Sequence, residues 1–309
     1  MPAFCAHMIL ATELMPALAQ AAGSFGAHLE EDAVYYGAQG PDFLFFHRAM
    51  PWMPGRSLRR TGTAMHNGNP AGLFERMRLY LAANPGDKYA LPYALGFLFH
   101  YALDRTAHPY VLAMTDQIAE QEHIRYSRKI IHNRIETNID IYLLREKLGV
   151  KDARKFYQTD SLARKPELLR SMGKMMADVI NALHSAGAPE AEVVTAFEDF
   201  YKVQKMEIDP RGVKRPVIRA LEFILTPAGR GLGPALSTLI RTKEPDKKWD
   251  YMNKAHSLCG AGNFYSVFER AKADALFLAA GFLKAVQTGS PVGGFIGDAS
   301  FSTGEAAGK

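Results

Sequence analysis

The sequence predicts an all-α protein built as a multi-helix bundle. Apolar residues recur at three- and four-residue steps through most of the chain, which is typical of helices with one buried face. The alternation of apolar and polar residues between turn signals that would indicate strands is hard to find. Proline and glycine residues cluster between the periodic stretches, at 37–41, 51–54, 68–70, 85–86, 210–216 and 227–234, and divide the chain into separate helices.

The periodic stretches follow one another along the chain. The first places Leu10, Leu14 and Leu18 at four-residue intervals, which suits a buried helix. Leucine spacing over 89–114 and isoleucine spacing over 124–148 predict two long helices. Further helices, without candidate catalytic or metal-binding residues, are predicted over 165–185, 190–208, 215–226 and 262–287. The last stretch is rich in Gly, Ser and Ala, and we expect a flexible tail over 289–309.

The length and composition are those of an ordinary globular protein. The chain has 309 residues, of which 48% are hydrophobic and 22% are charged. This length allows one large domain or two smaller ones. We expect a metal-binding helical core over 1–150 and additional helices over 151–288, in the same domain or an adjoining one.

Bulk properties argue against several functional classes. A formal net charge of +5 is mild for this length and does not by itself indicate nucleic-acid binding. No apolar run reaches the roughly 18 residues of a membrane span. No Lys or Arg precedes the first apolar stretch, and His7 and Glu13 interrupt it, so we expect no signal peptide and a cytoplasmic protein. Cys5 and Cys259 are too few for a disulfide framework and are expected to be reduced thiols.

The chemistry is concentrated in a histidine-rich first half, where eight of the ten histidines precede residue 133. His100, Asp104 and His108 are spaced four residues apart on one predicted helix. Each residue of an α-helix advances about 100°, so these three side chains drift only about 40° per step and share one face. Imidazole nitrogens and carboxylate oxygens are donors that zinc takes, and the flanking residues are apolar. This pattern predicts a metal site.

A second helix repeats this spacing. His132 and Glu136 form another pair four residues apart, and Asp140 lies one turn further, where it is expected to orient His132. One such pair would be weak evidence, because pairs at this spacing are common on helix surfaces and only stabilise the helix. Two helices with this pattern favour a shared metal centre.

The sequence pattern alone does not identify His7 and Asp42 as metal ligands. A lone histidine such as His7, on the apolar side of a helix, is more often a core residue than a ligand. An aspartate such as Asp42, after a Gly-Pro turn, is more often a turn residue. The remaining isolated histidines have no donor at helical spacing and are expected to be ordinary side chains: His28, His123, His184 and His256.

Three segments together resemble the zinc-dependent phospholipase C family. They are Gly-Ala-Gln-Gly-Pro-Asp at 37–42, His-Tyr-Ala-Leu-Asp-Arg-Thr-Ala-His-Pro at 100–109 and His-Asn-Arg-Ile-Glu-Thr-Asn-Ile-Asp at 132–140. The resemblance covers about residues 1–145. It implies an all-helical fold that is shared with single-strand nucleases of the S1/P1 type, and a centre of two or three zinc ions.

The resemblance also implies a role for each matching donor. Asp104 corresponds to an aspartate that bridges two ions. The first ion is also held by Asp42, His100 and one more histidine, for which His66 is favoured and His47 is the alternative. The second ion is also held by His108, His132 and Glu136. His7 corresponds to a histidine that shares a third ion with the bridging aspartate. After removal of Met1 the amine of Pro2 could join His7 there, although a free amino terminus is favoured.

These ligands predict phosphoester hydrolysis. A phosphodiester is negatively charged and repels nucleophiles, so a metal-bound water suits the reaction, with Asp42 as ligand and candidate general base. We expect a phospholipid or another small phosphoester as substrate. The alternatives are an S1/P1-like nuclease or a phosphatase, and, from another class, a non-catalytic metal-binding helical protein with closed sites.

Nucleic acid is the less favoured partner, since it requires a basic groove with aromatic residues. A solvated surface is the favoured interpretation of the basic stretch in the second half, and the oligomeric state is not predicted. This stretch comprises Lys214, Arg215, Arg219, Arg230, Arg241, Lys243, Lys247, Lys248 and Trp249.

Overall fold

The computed structural model describes residues 4–49, 53–121, 127–184, 186–225, 236–246 and 263–306. Within these ranges the chain contains no β-strand, only an isolated bridge between Ala299 and Ala306. The all-α prediction is therefore confirmed. No helix in the described ranges is both long and apolar enough to cross a membrane.

The helices match the periodic stretches of the sequence. The first half contains α1 Phe4–Ser24, α2 Glu31–Gly37, α3 Arg59–Asn67, α4 Pro70–Ala83, α5 Ala90–Gln121 and α6 Arg128–Leu148. The second half contains α7 Pro166–His184, α8 Glu190–Glu207, α9 Lys214–Leu225, α10 Phe264–Thr288 and α11 Gly293–Ile296. Short 3-10 helices span Gly40–Phe46, Ala153–Lys155 and Gln158–Ser161.

Helix α5 is the central element of the bundle. It packs against α2, α6 and α10, and its side chains are buried around most of its circumference. Such a helix has to be apolar on several sides, which explains the run of Phe97, Phe99 and Leu103 around His100. Helices from both halves of the sequence share this core: Arg105 on α5 donates to Asp274 on α10, with Nε 2.7 Å from Oδ2.

Two glycines allow α2 and α5 to approach closely. A Cβ atom on Gly37 would overlap the carbonyl oxygen of Tyr93, and one on Gly96 would overlap that of Val34. The 3-10 helix that follows α2 is thereby placed against the middle of α5. Gly40, at φ +53, lies against the ring of His100, where any side chain would collide with the imidazole.

The prediction of a flexible tail over 289–309 is wrong for the part that is described, which ends at residue 306. This segment folds back onto α5, where the hydroxyl of Tyr101 donates to the carbonyl of Ala299 at 2.7 Å. Val292, Ile296 and Phe301 are completely buried. These three apolar residues are sparse among glycines and serines, so composition alone concealed the anchors.

Candidate metal centre

The fold gathers eight predicted donors into two neighbouring clusters. We define the inner cluster as His7 on α1, Asp42 on the first 3-10 helix, His66 on α3, and His100 with Asp104 on α5. We define the outer cluster as His108 on α5 with His132 and Glu136 on α6. Asp42 and His66 lie many residues before α5 in the sequence, yet the fold places them beside His100 and Asp104.

Short distances between donor atoms define the inner cluster. His66 Nε2 lies 3.0 Å from Asp42 Oδ1, and His100 Nε2 lies 3.2 Å from Asp104 Oδ2. His7 Nε2 lies 3.3 Å from Asp104 Oδ1. The rings of His7 and His100 are stacked, with centroids 4.3 Å apart. All five side chains are buried.

Asp104 joins the two clusters. Its Oδ2 atom faces His100 on one side and lies 3.8 Å from Nδ1 of His108 on the other. Neither carboxylate oxygen of Asp104 has a hydrogen-bond partner among the described residues, and the same is true of both ring nitrogens of His7 and of His100. Buried polar atoms without partners are costly, so this donor set fits a divalent cation that all of them can bind.

The outer cluster has the same character but lies nearer the surface. His132 Nε2 is 2.9 Å from Glu136 Oε1, and the rings of His108 and His132 are nearly parallel, with centroids 5.9 Å apart. One donor atom from each of the three residues lies within 4.8 Å of the others. His132 is about one-fifth exposed, whereas His108 is buried.

Burial and neighbouring charges shift the pKa values of several donors in the two clusters. Burial lowers the pKa of His108 to about 3, so this ring is neutral at neutral pH. Burial alone would raise the pKa of Glu136, but the adjacent His132 lowers it to about 2. Burial likewise opposes ionisation of Asp104, yet His100 holds the pKa of this carboxyl well below the ordinary value. Burial alone would lower the pKa of His100, but Asp104 and Asp42 raise it. Zinc binds ionised carboxylates and neutral imidazoles, so an ion at the inner cluster would displace the proton that Asp104 favours on His100.

The structure separates the two candidates for the remaining histidine. His66 lies in the inner cluster, and its Nδ1 is 2.8 Å from the carbonyl oxygen of Gly62, which leaves Nε2 directed at Asp42. His47 lies elsewhere: its Nδ1 accepts from the backbone N–H of Leu58 at 3.0 Å, and its Nε2 is 3.4 Å from Glu192. The geometry thus groups His66, and not His47, with the other donors.

Asp140 occupies a different place from the one expected. Its two oxygens accept from the backbone N–H groups of Cys5 and Ala6, each at 2.8 Å, at the start of α1. These N–H groups have no partner within their own helix, so the buried carboxylate satisfies them. The expectation that Asp140 orients His132 is therefore not supported, because both oxygens are committed to α1. Asp140 instead positions the turn that carries His7.

A cleft of about 500 Å³ opens beside the two clusters. Asp42, His132 and Glu136 reach it, and its apolar lining includes Phe4, Phe45, Phe46 and Phe200. Three cationic side chains border it: Arg59, Arg128 and Lys129. These lining residues were not predicted from the sequence, although Arg128 and Lys129 precede His132 by four and three residues and therefore share its helix face.

Phe301 was also missed, since it lies in the segment that was predicted to be flexible. Its ring centroid is 6.0 Å from that of His100 and 5.7 Å from that of His66. Because Phe301 is completely buried, it forms an apolar wall of the inner cluster.

Among the described residues of the basic stretch, Arg241 does not lie on a solvated surface. Arg241 is buried and donates to the carbonyl oxygens of Ala153 and Phe156 and to Gln158 Oε1 at 2.6 Å. It is therefore an internal residue and is not available to a nucleic acid. Four members of the stretch lie outside the described residues: Arg230, Lys247, Lys248 and Trp249. His123, His256 and Cys259 also lie outside them. Met1 and Pro2 also lie outside them.

Comparison with known proteins identifies the family. Residues 6–187, more than half of the chain, match the family model described as zinc dependent phospholipase C. Comparisons with curated proteins and with solved structures find no significant match. The matched range contains all eight donors of the two clusters. The chain belongs to the zinc-dependent phospholipase C family.

Proposed function

We propose that the protein hydrolyses a phosphodiester bond of a phospholipid at a centre of two or three zinc ions. Membership of the family supports a zinc-dependent phosphoester hydrolase in general, and the His and Asp clusters support zinc as the cofactor. The observation that carries the finer proposal is the position of Asp104. It is a completely buried carboxylate between two groups of histidines, with no hydrogen-bond partner among the described residues.

The proposed ligand sets follow from these distances. Asp104 would be a ligand shared by two ions, one of which Asp42, His66 and His100 would also hold, and the other of which His108, His132 and Glu136 would also hold. His7, which approaches the other oxygen of Asp104 at 3.3 Å, is the proposed ligand of a third ion.

Each group in the cleft has a role in the proposed reaction. Zinc held by these residues would supply Lewis acidity toward a phosphoryl oxygen and would make a nearby water more acidic. Asp42 reaches both the inner cluster and the cleft, so its carboxylate is positioned to accept a proton from a water in the cleft. Arg59, Arg128 and Lys129 complement the negative charge of a phosphodiester.

The aromatic lining favours a substrate with an apolar part. Phe45, Phe46 and Phe200 present apolar surface beside the donors, which suits the acyl or glycerol portion of a lipid and excludes water from the reacting bond. The same aromatic surface could stack a nucleobase, so an S1/P1-like nuclease is the second candidate. A closed structural metal site is disfavoured, because Asp42, His132 and Glu136 line an open cleft.

The test is a substrate panel with purified, zinc-loaded protein. The panel contains a short-chain phosphatidylcholine, bis(p-nitrophenyl) phosphate, p-nitrophenyl phosphate and single-stranded DNA. We expect diacylglycerol release from the phospholipid to exceed turnover of the other three, and Asp104→Asn to abolish it. Faster cleavage of DNA would replace the proposal with the nuclease. Turnover of none of them, with full zinc occupancy, would favour a non-catalytic protein.

A further inference from the structure

A second cavity, of about 650 Å³, shares Arg59 with the cleft beside the metal donors. Four arginines line it, and Glu192 is the one acidic residue among the described residues of its lining. We call this cavity the arginine pocket, and its arginines are Arg48, Arg56, Arg59 and Arg60. None of the eight metal donors lines it, so it is a compartment separate from the proposed catalytic centre.

One arginine and the glutamate neutralise each other. Arg48 Nη2 donates to Glu192 Oε1 at 2.9 Å and lies 2.8 Å from Oε2. Its Nη1 donates to the backbone carbonyl oxygen of Arg56 at 3.2 Å. Because Glu192 is paired in this way, its charge is not available to repel an anion. The positive charge of the pocket comes from the other three arginines.

The backbone around Arg48 is held in an unusual conformation. Arg48 has a φ of +50, and no other described residue except glycine has a positive φ. Its backbone N–H donates to Asp199 Oδ2 at 3.1 Å. A Cβ atom on Gly55 would collide with the Arg48 guanidinium, so a glycine is needed there. Strained backbone of this kind persists where surrounding contacts hold it, and it is concentrated at functional sites.

The remaining three arginines have no counter-charge. In the described part of the chain, the guanidinium groups of Arg56, Arg59 and Arg60 have no hydrogen-bond or ion-pair partner, and all three residues are exposed. Guanidinium groups bind phosphate oxygens through paired N–H donors. Three cations in one cavity suit a phosphomonoester, whose charge is about −1.5 to −2, better than a singly charged carboxylate or phosphodiester.

Helix α3 connects the arginine pocket to the inner cluster. Arg59 is its first residue and His66 lies seven residues later, which is roughly 10 Å along the helix axis. A ring-sized group can span this separation between a phosphate near His66 and another phosphate near Arg59. Ala188 and Pro189 give the pocket an apolar wall against which such a ring can pack.

We propose that the arginine pocket binds a phosphomonoester group, and that the protein thereby prefers phospholipids whose headgroup carries a second phosphate. The phosphodiester to be cleaved lies in the cleft, and the second phosphate contacts Arg56, Arg59 and Arg60. The preference among lipids rests on the proposed phospholipid hydrolysis, whereas binding of the phosphomonoester does not.

The first test measures binding without catalysis, by calorimetric titration of the zinc-loaded protein with myo-inositol 1-phosphate and myo-inositol 1,4-bisphosphate. The bisphosphate should bind at least about tenfold more tightly, because its second phosphate reaches the arginines. In Arg56→Gln/Arg60→Gln the two affinities should differ by less than about threefold. Equal affinities in wild type would overturn the proposal.

The matched control removes the same charge elsewhere. Arg145→Gln/Arg170→Gln substitutes two exposed arginines that line neither cavity, so it should keep the tenfold difference between the two inositol phosphates. Because every substituted residue is exposed, circular dichroism should show unchanged helix content in both double variants. Loss of the difference in this control would assign it to net charge and overturn the proposal.

The second test compares two short-chain lipids that differ by one phosphate, dihexanoyl phosphatidylinositol and its 4-phosphate. The kcat/KM of wild type should be at least about tenfold higher for the 4-phosphate, mainly through a lower KM, and the ratio should approach one in Arg56→Gln/Arg60→Gln. A retained binding preference without hydrolysis of either lipid would support the arginine pocket and contradict the proposed function.

Two other ligands bring their own phosphate. Tighter binding of inorganic phosphate by wild type than by Arg56→Gln/Arg60→Gln, with equal affinities for the two inositol phosphates, would identify a site for free phosphate and overturn the headgroup preference. Cleavage of single-stranded DNA that falls in this variant, without any preference between the two lipids, would assign the pocket to a nucleic-acid backbone and also overturn the proposal.

Discussion

Asp42 Oδ1 and His66 Nε2 lie 3.0 Å apart although 24 residues separate them in the chain. Each is held by its own local structure: Asp42 by the 3-10 helix packed on α5, and His66 by the contact of its Nδ1 with the carbonyl of Gly62. With Nδ1–H donating to that carbonyl, Nε2 carries a lone pair directed at Asp42 and the inner cluster. His66 is therefore oriented before any ion binds.

This orientation predicts different results for two buried histidines. His66→Ala should lower the zinc content by about one equivalent and abolish hydrolysis, because one ion loses a nitrogen donor. His47→Ala should retain zinc, because His47 contacts Leu58 and Glu192. The check is elemental analysis of both purified variants. Loss of zinc in His47→Ala and not in His66→Ala would reverse the assignment.

The proposed bridge makes Asp104 more sensitive to substitution than Glu136. Asp104→Asn should reduce the occupancy of both main ions, whereas Glu136→Gln should reduce only that of the outer one. Both substitutions are nearly isosteric, so the comparison isolates the lost charge. Zinc content and thermal unfolding midpoint, measured with and without chelator, provide the readout. Equal zinc retention by the two variants would contradict a bridging role.

Substitution of Gly40 should disturb the metal centre through the backbone. Gly40→Ala places a Cβ against the His100 ring at a positive φ, so it should destabilise the protein by about 1–3 kcal/mol and lower its zinc content. The control is Gly23→Ala on the exposed surface of α1, where a Cβ would meet nothing within 4 Å. That change should be neutral or stabilising by up to about 1 kcal/mol. Denaturant unfolding of the two variants tests the contrast.

Glu207 predicts a pH dependence of substrate binding. Burial raises the pKa of this cleft residue to about 8, although Arg241 opposes the shift. The folded state therefore holds the proton more tightly than the unfolded state, and stability should fall as pH rises from about 4.5 to about 8. Above pH 8 the new carboxylate should repel an anionic phosphodiester and raise KM.

The matched variant is Glu207→Gln, which cannot ionise. Its KM for bis(p-nitrophenyl) phosphate should stay constant across pH 8, and the decline in stability between pH 4.5 and 8 should become shallower. An identical rise of KM in the variant and in wild type would assign the pH dependence to another group.

The parts of the site that could be predicted are those governed by local geometry. His100, Asp104 and His108 share a helix face because of the helical repeat, as do His132 and Glu136, and this arrangement is visible in the sequence. The approach of Asp42 to His66 depends on Gly40 and on the packing of three elements, so spacing alone could not reveal it.

Where residues lie elsewhere than predicted, the reasons are also physical. Asp140 follows Glu136 by one turn, yet unsatisfied N–H groups at the start of a neighbouring helix take both of its oxygens. Arg241 belongs to a basic stretch but donates to internal carbonyls. The bounds of α9 were predicted within about one residue, but its orientation was not. Its polar residues Arg215 and Glu222 bond to the backbone at Ser237 and Leu236, whereas the polar side of a surface helix usually faces solvent.

The wall formed by Phe301 affects how fast metal exchanges. Phe301 covers the side of the inner cluster that His66 and His100 form, and of the five donors only Asp42 reaches the cleft. An ion proposed there is therefore less accessible than one at the outer cluster, and its release is expected to require movement of the segment over 289–306 or of a neighbouring helix. An ion at the outer cluster is reached through the partly exposed His132. Release into chelator should therefore be biphasic, with a slow phase limited by protein motion. Phe301→Ala should accelerate only the slow phase. Phe301 would thus slow the release of metal from the inner cluster without itself binding an ion.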